Sequence, residues 1–125
     1  WISKYVKQGM IDLVAVTSTS GNVNARNTFR NSYGLLKLLG IEIKVGIQRE
    51  PGDESKTIDF HGDDGLGGLG SELRIDELEL ENAFNTAPES VDFMIESIQR
   101  YPGKVILLAT GPLTNIAKAE KNHLG

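Results

Sequence analysis

Lys104–Ala119 reads KVILLATGPLTNIAKA, and the interpretation of this stretch decides the fold. Val105, Ile106, Leu107 and Leu108 form a short, continuous apolar run rich in branched side chains. Such a run reads as a strand covered on both faces, the habit of a parallel sheet. Thr110-Gly111-Pro112 stops it, because glycine permits unusual dihedrals and proline cannot donate to a ladder. Helix-forming Ile116, Ala117, Lys118 and Ala119 follow, and Pro112 or Leu113 falls near the first helical turn, where a missing N–H costs little. The stretch predicts a buried strand, a sharp turn and a helix. In open α/β sheets the carboxyl end of a strand is where ligands bind, so the turn is a candidate site.

Working outward, Thr86-Ala87-Pro88-Glu89 has the spacing of a capping box. The helix it opens carries Val91, Met94, Ile95 and Ile98 on one face and ends near Tyr101-Pro102-Gly103. Met94 reads as core packing. Ile11–Thr17, IDLVAVT, is a second buried strand that runs into the polar turn Ser18–Asn22. Asn24–Leu39 reads as a helix, with Phe29, Tyr33 and Leu36 at i, i+4 and i+7 and Gly40 closing it. Ile41–Ile47 is a third strand. Strand–helix–strand is the unit of a parallel sheet with right-handed crossovers. At the start, Trp1, Ile2, Tyr5 and Val6 share one face of a helix, and Gly9 is placed to cap it.

Gln48–Ala87 differs: it is long, acidic and rich in glycine. Loops of that length are usually functional or disordered. Within it, Leu73, Ile75, Leu78 and Leu80 of ELRIDELELE alternate with charged positions, as in a short half-exposed strand in a solvated acidic loop. The expected fold is therefore α/β, a Rossmann-like and mostly parallel sheet with flanking helices, with residues 1–125 part of a single domain.

Composition bounds the function. The chain has 125 residues, with 13 Lys and Arg against 17 Asp and Glu, a net charge of −4 and no basic cluster. A nucleic-acid backbone is thereby a poor partner. The absence of cysteine removes disulfides, thiol chemistry and cysteine-ligated zinc. No apolar run approaches the ~18 residues of a membrane span. The expected location is the cytoplasm. Trp1 in place of a start methionine, and a last helix that runs to Gly125, lead to the expectation of a fragment of a longer protein.

Two strand ends, Ser18–Asn22 and Thr110–Asn115, fall on one edge of a parallel sheet, where their polar groups can converge. Asn22 offers donors and acceptors suited to sugar hydroxyls, or serves as a turn residue. The carbonyl of Thr110, freed where its strand ends, is a hard oxygen of the kind Ca²⁺ takes. His61, flanked by glycine and acids, can act as a general acid, make a ligand hydrogen bond, or do neither. The GLGGLG run at Gly65–Gly70 follows no clear strand and opens no helix, which argues against a phosphate loop. Asp59, Asp63 and Asp64 have the form D-x-x-x-D-D, a metal cluster or a solvated acidic loop.

Taken together, SGN at Ser20–Asn22, Asn31 nine residues on, GIEIKVG at Gly40–Gly46, HGDDGLGG at His61–Gly68 and APESVDFMIESIQRYPGKVILLATGPLTN at Ala87–Asn115 resemble the inosine–uridine-preferring nucleoside hydrolases. The most specific pieces are T-G-P-L-T-N at Thr110–Asn115 and H-G-x-x-G-L-G at His61–Gly67. The resemblance implies a calcium-dependent hydrolase that splits the N-glycosidic bond of a purine or pyrimidine ribonucleoside into base and ribose. It places ribose contact on Asn22, substrate contact on His61 and a calcium-ligating backbone carbonyl on Thr110. The family's D-x-D-x-x-x-D-D cluster, which holds Ca²⁺ and the attacking water, is absent, so no catalytic residue is assigned. Asp59–Asp64 imitates half its spacing but lies in the H-G-x-x-G loop, and Lys44 stands where the family usually has proline. The isolated chain is therefore expected to be inactive. It is expected to pair with a companion segment of the same protein or to form a homo-oligomer. The alternative reading is a non-catalytic α/β module that binds a sugar or nucleoside.

Overall fold

The computed structural model describes residues 1–49 and 60–123. In chain order the described elements are α1 (Ile2–Lys7), β1 (Val16–Thr17), α2 (Ala25–Leu38), β2 (Val45–Gly46), a 3-10 turn (Leu69–Leu73), α3 (Glu77–Thr86), α4 (Ser90–Arg100) and α5 (Thr114–His123). The strands form a small parallel sheet with Val16 opposite Val45 and Thr17 opposite Gly46. An isolated parallel bridge joins Ile47 to Glu89. The fold is thus mixed α/β, with β1–α2–β2 as the expected crossover unit.

Local chemistry sets the ends of α2. The side chain of Asn24 accepts from the amide of Asn27 at 2.8 Å, satisfying a donor that the first helical turn leaves free. At the other end Gly40 takes φ +67°, its amide donates to Lys37 O, and the Ile41 amide donates to Leu36 O. That 5→2 and 6→1 pair consumes two carbonyls at the helix end and requires a left-handed residue where glycine stands. The buried face of α2 builds the core: Phe29 joins Val45, Ile47 and Leu80, with Tyr33, Leu36, Ile75 and Phe84 packed against them. Phe29 stacks on Tyr33 at 6.1 Å and meets Phe84 edge-on at 5.7 Å. Met94 is buried beside Val91 and Ile95 on α4, as its spacing predicts.

Four expectations change. The stretch read as a half-exposed strand, Glu72–Glu81, instead finishes the 3-10 turn and enters α3. Asp76 caps that helix by accepting from the Glu79 amide at 3.1 Å, and Leu80, Ala83 and Phe84 turn one helical face to the core. The capping box at Thr86–Glu89 does not form. Thr86 ends α3 with its hydroxyl donating to Asn82 O at 2.8 Å, while the carboxylate of Glu89 accepts from the Arg49 amide at 3.1 Å. The strands expected over Ile11–Thr17 and Ile41–Ile47 pair over two residues each. Val105–Leu108, the run that predicted a buried strand, carries no strand assignment. Ile106 is 94% exposed and Leu108 65%. The pattern specifies the environment the segment requires, neighbours on both edges and cover on both faces; the described residues do not supply it. Among the described residues the sheet is therefore a two-stranded parallel pair.

Candidate functional site

Beyond β1 the chain reads Ser18-Thr19-Ser20, and all three residues are held by partners distant in sequence. The Ser18 hydroxyl donates to Gly46 O at 3.0 Å. The Ser18 carbonyl accepts from the Ser90 hydroxyl at 2.8 Å and from Asn115 Nδ2 at 3.1 Å. Gln48 Oε1 accepts from the Thr19 hydroxyl at 2.8 Å and the Ser20 amide at 3.0 Å. Thr28, from the first turns of α2, donates to Thr19 O at 2.9 Å. Ser18, Ser20, Gln48, Ser90 and Asn115 are all buried. In a low-dielectric interior each satisfied pair strengthens its neighbours, and each broken one is costly. The end of β1 is thus fixed simultaneously to β2, α2, α4 and α5.

This knot brings the two predicted turns together. Thr19 and Thr114 place their hydroxyls 3.4 Å apart. A Cβ on Gly21 would lie 3.1 Å from the ring of Pro112, and one on Gly111 would lie 3.0 Å from Thr19 Cγ2. Asn22, exposed on the bend after Gly21, and Thr110, exposed before Gly111, therefore flank one contact between the turns.

His61 is exposed and opens a loop whose backbone closes on it: the Gly67 amide donates to His61 O and the Gly65 amide to Gly62 O. Gly65, at φ +73°, lies so near Val23 that an added Cβ would sit 3.1 Å from it. The His61 loop thereby rests beside the Asn22 turn. The carboxylate of Asp64 accepts from the amides of Leu66 at 2.8 Å, Gly68 at 3.0 Å and Gly70 at 2.8 Å. Those donors, Gly68 foremost, hold its pKa below the ordinary value. Asp64 is thus committed to organising its own loop. Asp63 is exposed, and Asp59 lies outside the described residues. No group of three or more His, Cys, Asp or Glu is poised to hold a metal among the described residues.

Residues 3–124 match the family described as inosine-uridine preferring nucleoside hydrolase. The chain belongs to that family. A probable uridine nucleosidase 1 from Oryza sativa subsp. japonica is 33% identical over 117 residues, covering 89% of this chain and 34% of the relative. Uridine nucleosidase 1 of Arabidopsis thaliana is 31% identical over 89% of this chain and 32% of its own length. A non-specific ribonucleoside hydrolase RihC from Escherichia coli O139:H28 is 32% identical over 86% of this chain and 34% of the relative. This family member spans about a third of the length of the curated relatives it matches. No solved structure matches it significantly. No helix among the described residues is long and apolar enough to cross a membrane.

Sequence reasoning located the Asn22 and Thr110 turns but missed the buried network beneath them. Ser18–Ser90 and Ser18–Asn115 join residues 72 and 97 positions apart. The one local signal was the unbroken Ser-Thr-Ser after an apolar strand.

Proposed function

We propose that this sequence is part of a ribonucleoside hydrolase of Rossmann-like fold, in which water adds at the anomeric carbon, the N-glycosidic bond breaks and the base departs with a proton. Asn22 binds the ribose, His61 faces the substrate, and Thr110 would offer a backbone carbonyl to Ca²⁺ once the remaining ligands were supplied. The observation that carries this reading is that the Asn22 turn packs on one side against the family-specific T-G-P-L-T-N turn at Thr110 and on the other against the loop that His61 opens.

Calcium takes six to eight oxygens, and the Thr110 carbonyl is one. The Thr19 hydroxyl is turned to Gln48 and to the Thr114 hydroxyl, and Asp64 is spent on backbone amides. The described residues therefore do not fit a calcium site by themselves, and no chemical step is assigned through the ion. On this reading they bind and orient: the bend after the fixed strand end carries the Asn22 amide, and the glycine-rich loop packed beside it carries the His61 imidazole. The second reading is a nucleoside-binding module without turnover.

Expression of the complete reading frame, with assay of ribose release from inosine and uridine in the presence of Ca²⁺, tests the hydrolase reading. Turnover that falls on Asn22→Ala supports it. Binding without turnover supports the module, and neither binding nor turnover overturns both. The 125-residue chain by itself is expected to release no ribose.

A further inference from the structure

α2 faces the His61 loop with three donors, each used on a backbone carbonyl. Asn27 Nδ2 donates to Asp63 O at 3.1 Å, Arg30 to Gly70 O at 2.8 Å, and Asn31 Nδ2 to Asp64 O at 2.7 Å. The spacing i, i+3, i+4 sets the three on one side of the helix. Asn31 is 8% exposed, and its Oδ1 has no hydrogen-bond partner among the described residues. A buried acceptor left so is costly. A plain apolar side chain would avoid that cost and would lose only the contact to the loop. At Gly70 the guanidinium of Arg30 and the carboxylate of Asp64 converge so closely that an added Cβ would lie 2.6 Å from one and 2.9 Å from the other. The same helix is tied to the Asn22 turn through Thr28 and Thr19.

We propose that Asn27, Arg30 and Asn31 are positioning residues, which act through Asp64 to set where His61 stands relative to the Asn22 turn. None of them needs to touch the substrate. The contacts run from α2 to the Asp63, Asp64 and Gly70 carbonyls, from the Asp64 carboxylate to the Gly68 and Gly70 amides, and from Gly67 back to the His61 carbonyl. α2 thus serves as one reference for both loops. The importance given to His61 rests on the nucleoside reading above; the mechanical coupling does not.

The test is amide hydrogen exchange and NMR on the 125-residue chain. Arg30→Met and Asn31→Leu should each speed exchange at Leu66, Gly68 and Gly70 by about tenfold, the loss of roughly one net hydrogen bond. They should also move the His61 ring Cε1–H resonance, while Met94 and Ile95 in α4 keep their protection. Arg30→Lys, which still reaches the Gly70 carbonyl with a cation, should retain the parent values. If Asn31→Leu does not fold, the half-buried Arg30 pair carries the test. An unmoved His61 resonance despite loosened loop amides overturns the proposal, as does an equal loss of protection in α4. Titration of the complete reading frame with inosine separates the two readings: silence there counts against nucleoside binding and leaves the loop result standing.

Discussion

Gly34 in α2 gives the sharpest test of how the loop region is seated. It is buried, and a Cβ there would lie 2.7 Å from Ile75 Cδ1, 2.9 Å from Leu73 Cδ1 and 3.0 Å from Leu73 Cβ. Gly34→Ala sets two effects against each other. Alanine is favoured over glycine inside a helix by about 1 kcal/mol. Overpacking a tight contact costs about 1–3 kcal/mol. The Ile75 methyl is a free end and can swing away. Leu73 Cβ is attached directly to the backbone of the 3-10 turn, and Leu73 itself is only 7% exposed. Relief there requires the turn to move, which places the cost in the upper part of that range.

The net expectation is a destabilisation of about 1–2 kcal/mol, or a fall in Tm of roughly 4–8 °C for a chain of this size. Thermal unfolding followed by circular dichroism reads it. Ile75→Val removes the closest atom and by itself costs about 0.5–1.5 kcal/mol. Placed on Gly34→Ala it should cost less than that, because it relieves the contact it once made. A Gly34→Ala chain as stable as its parent, or more so, would refute the steric argument and show that the 3-10 turn shifts freely.

Asn22→Ala in the complete reading frame should lower kcat/KM by about tenfold, one hydrogen bond to the ribose, with the fold retained; unchanged kinetics would return Asn22 to a turn role. Acidification should open the His61 loop. The Asp64 carboxylate is depressed by its backbone donors, so its contribution is complete above the ordinary carboxylate value of about 3.9 and is lost as pH falls through the lower folded value. The Gly68 and Gly70 amide proton shifts should titrate together in that acid window and stay flat in Asp64→Asn. The exposed run at Ile106, Leu107 and Leu108 should make the purified chain self-associate; light scattering after size exclusion reads this, and a stable monomer at high concentration would contradict it.

The legible parts of the fold are those whose causes lie within a few residues. Asn24 and Gly40 bracket α2 in the sequence as they do in space, because a cap and a left-handed stop act locally. The misplacement of α3 was a contest between two local signals. Leu73, Ile75, Leu78 and Leu80 alternate like a strand, yet Asp76 and Glu79 have the D-x-x-E spacing that starts a helix. The cap prevailed because Leu80, Ala83 and Phe84 can reach Phe29 only on a helical face. Val105–Leu108 shows the opposite case. A strand is a relation between chains of hydrogen bonds, so a sequence can state the need for partners without containing them.

The site divides along the same line. The Asn22 and Thr110 turns could be read directly, since each follows an apolar run and contains its own stop. The geometry that joins them could not, because Ser18, Gln48, Ser90 and Asn115 look like ordinary polar residues until the fold buries them. Their effect is nonetheless directional. Ser18 O takes one donor from α4 and one from α5, so displacing either helix strains the same carbonyl, and the strand end moves only if both let go. α2 enters that arrangement through Thr28 and leaves it through Asn27, Arg30 and Asn31. A glycine-rich loop would otherwise sample many conformations at high entropic cost to order. Three side chains of one rigid helix remove that freedom before any ligand arrives, and this is how a loop with so little packing of its own can present His61 at a defined place.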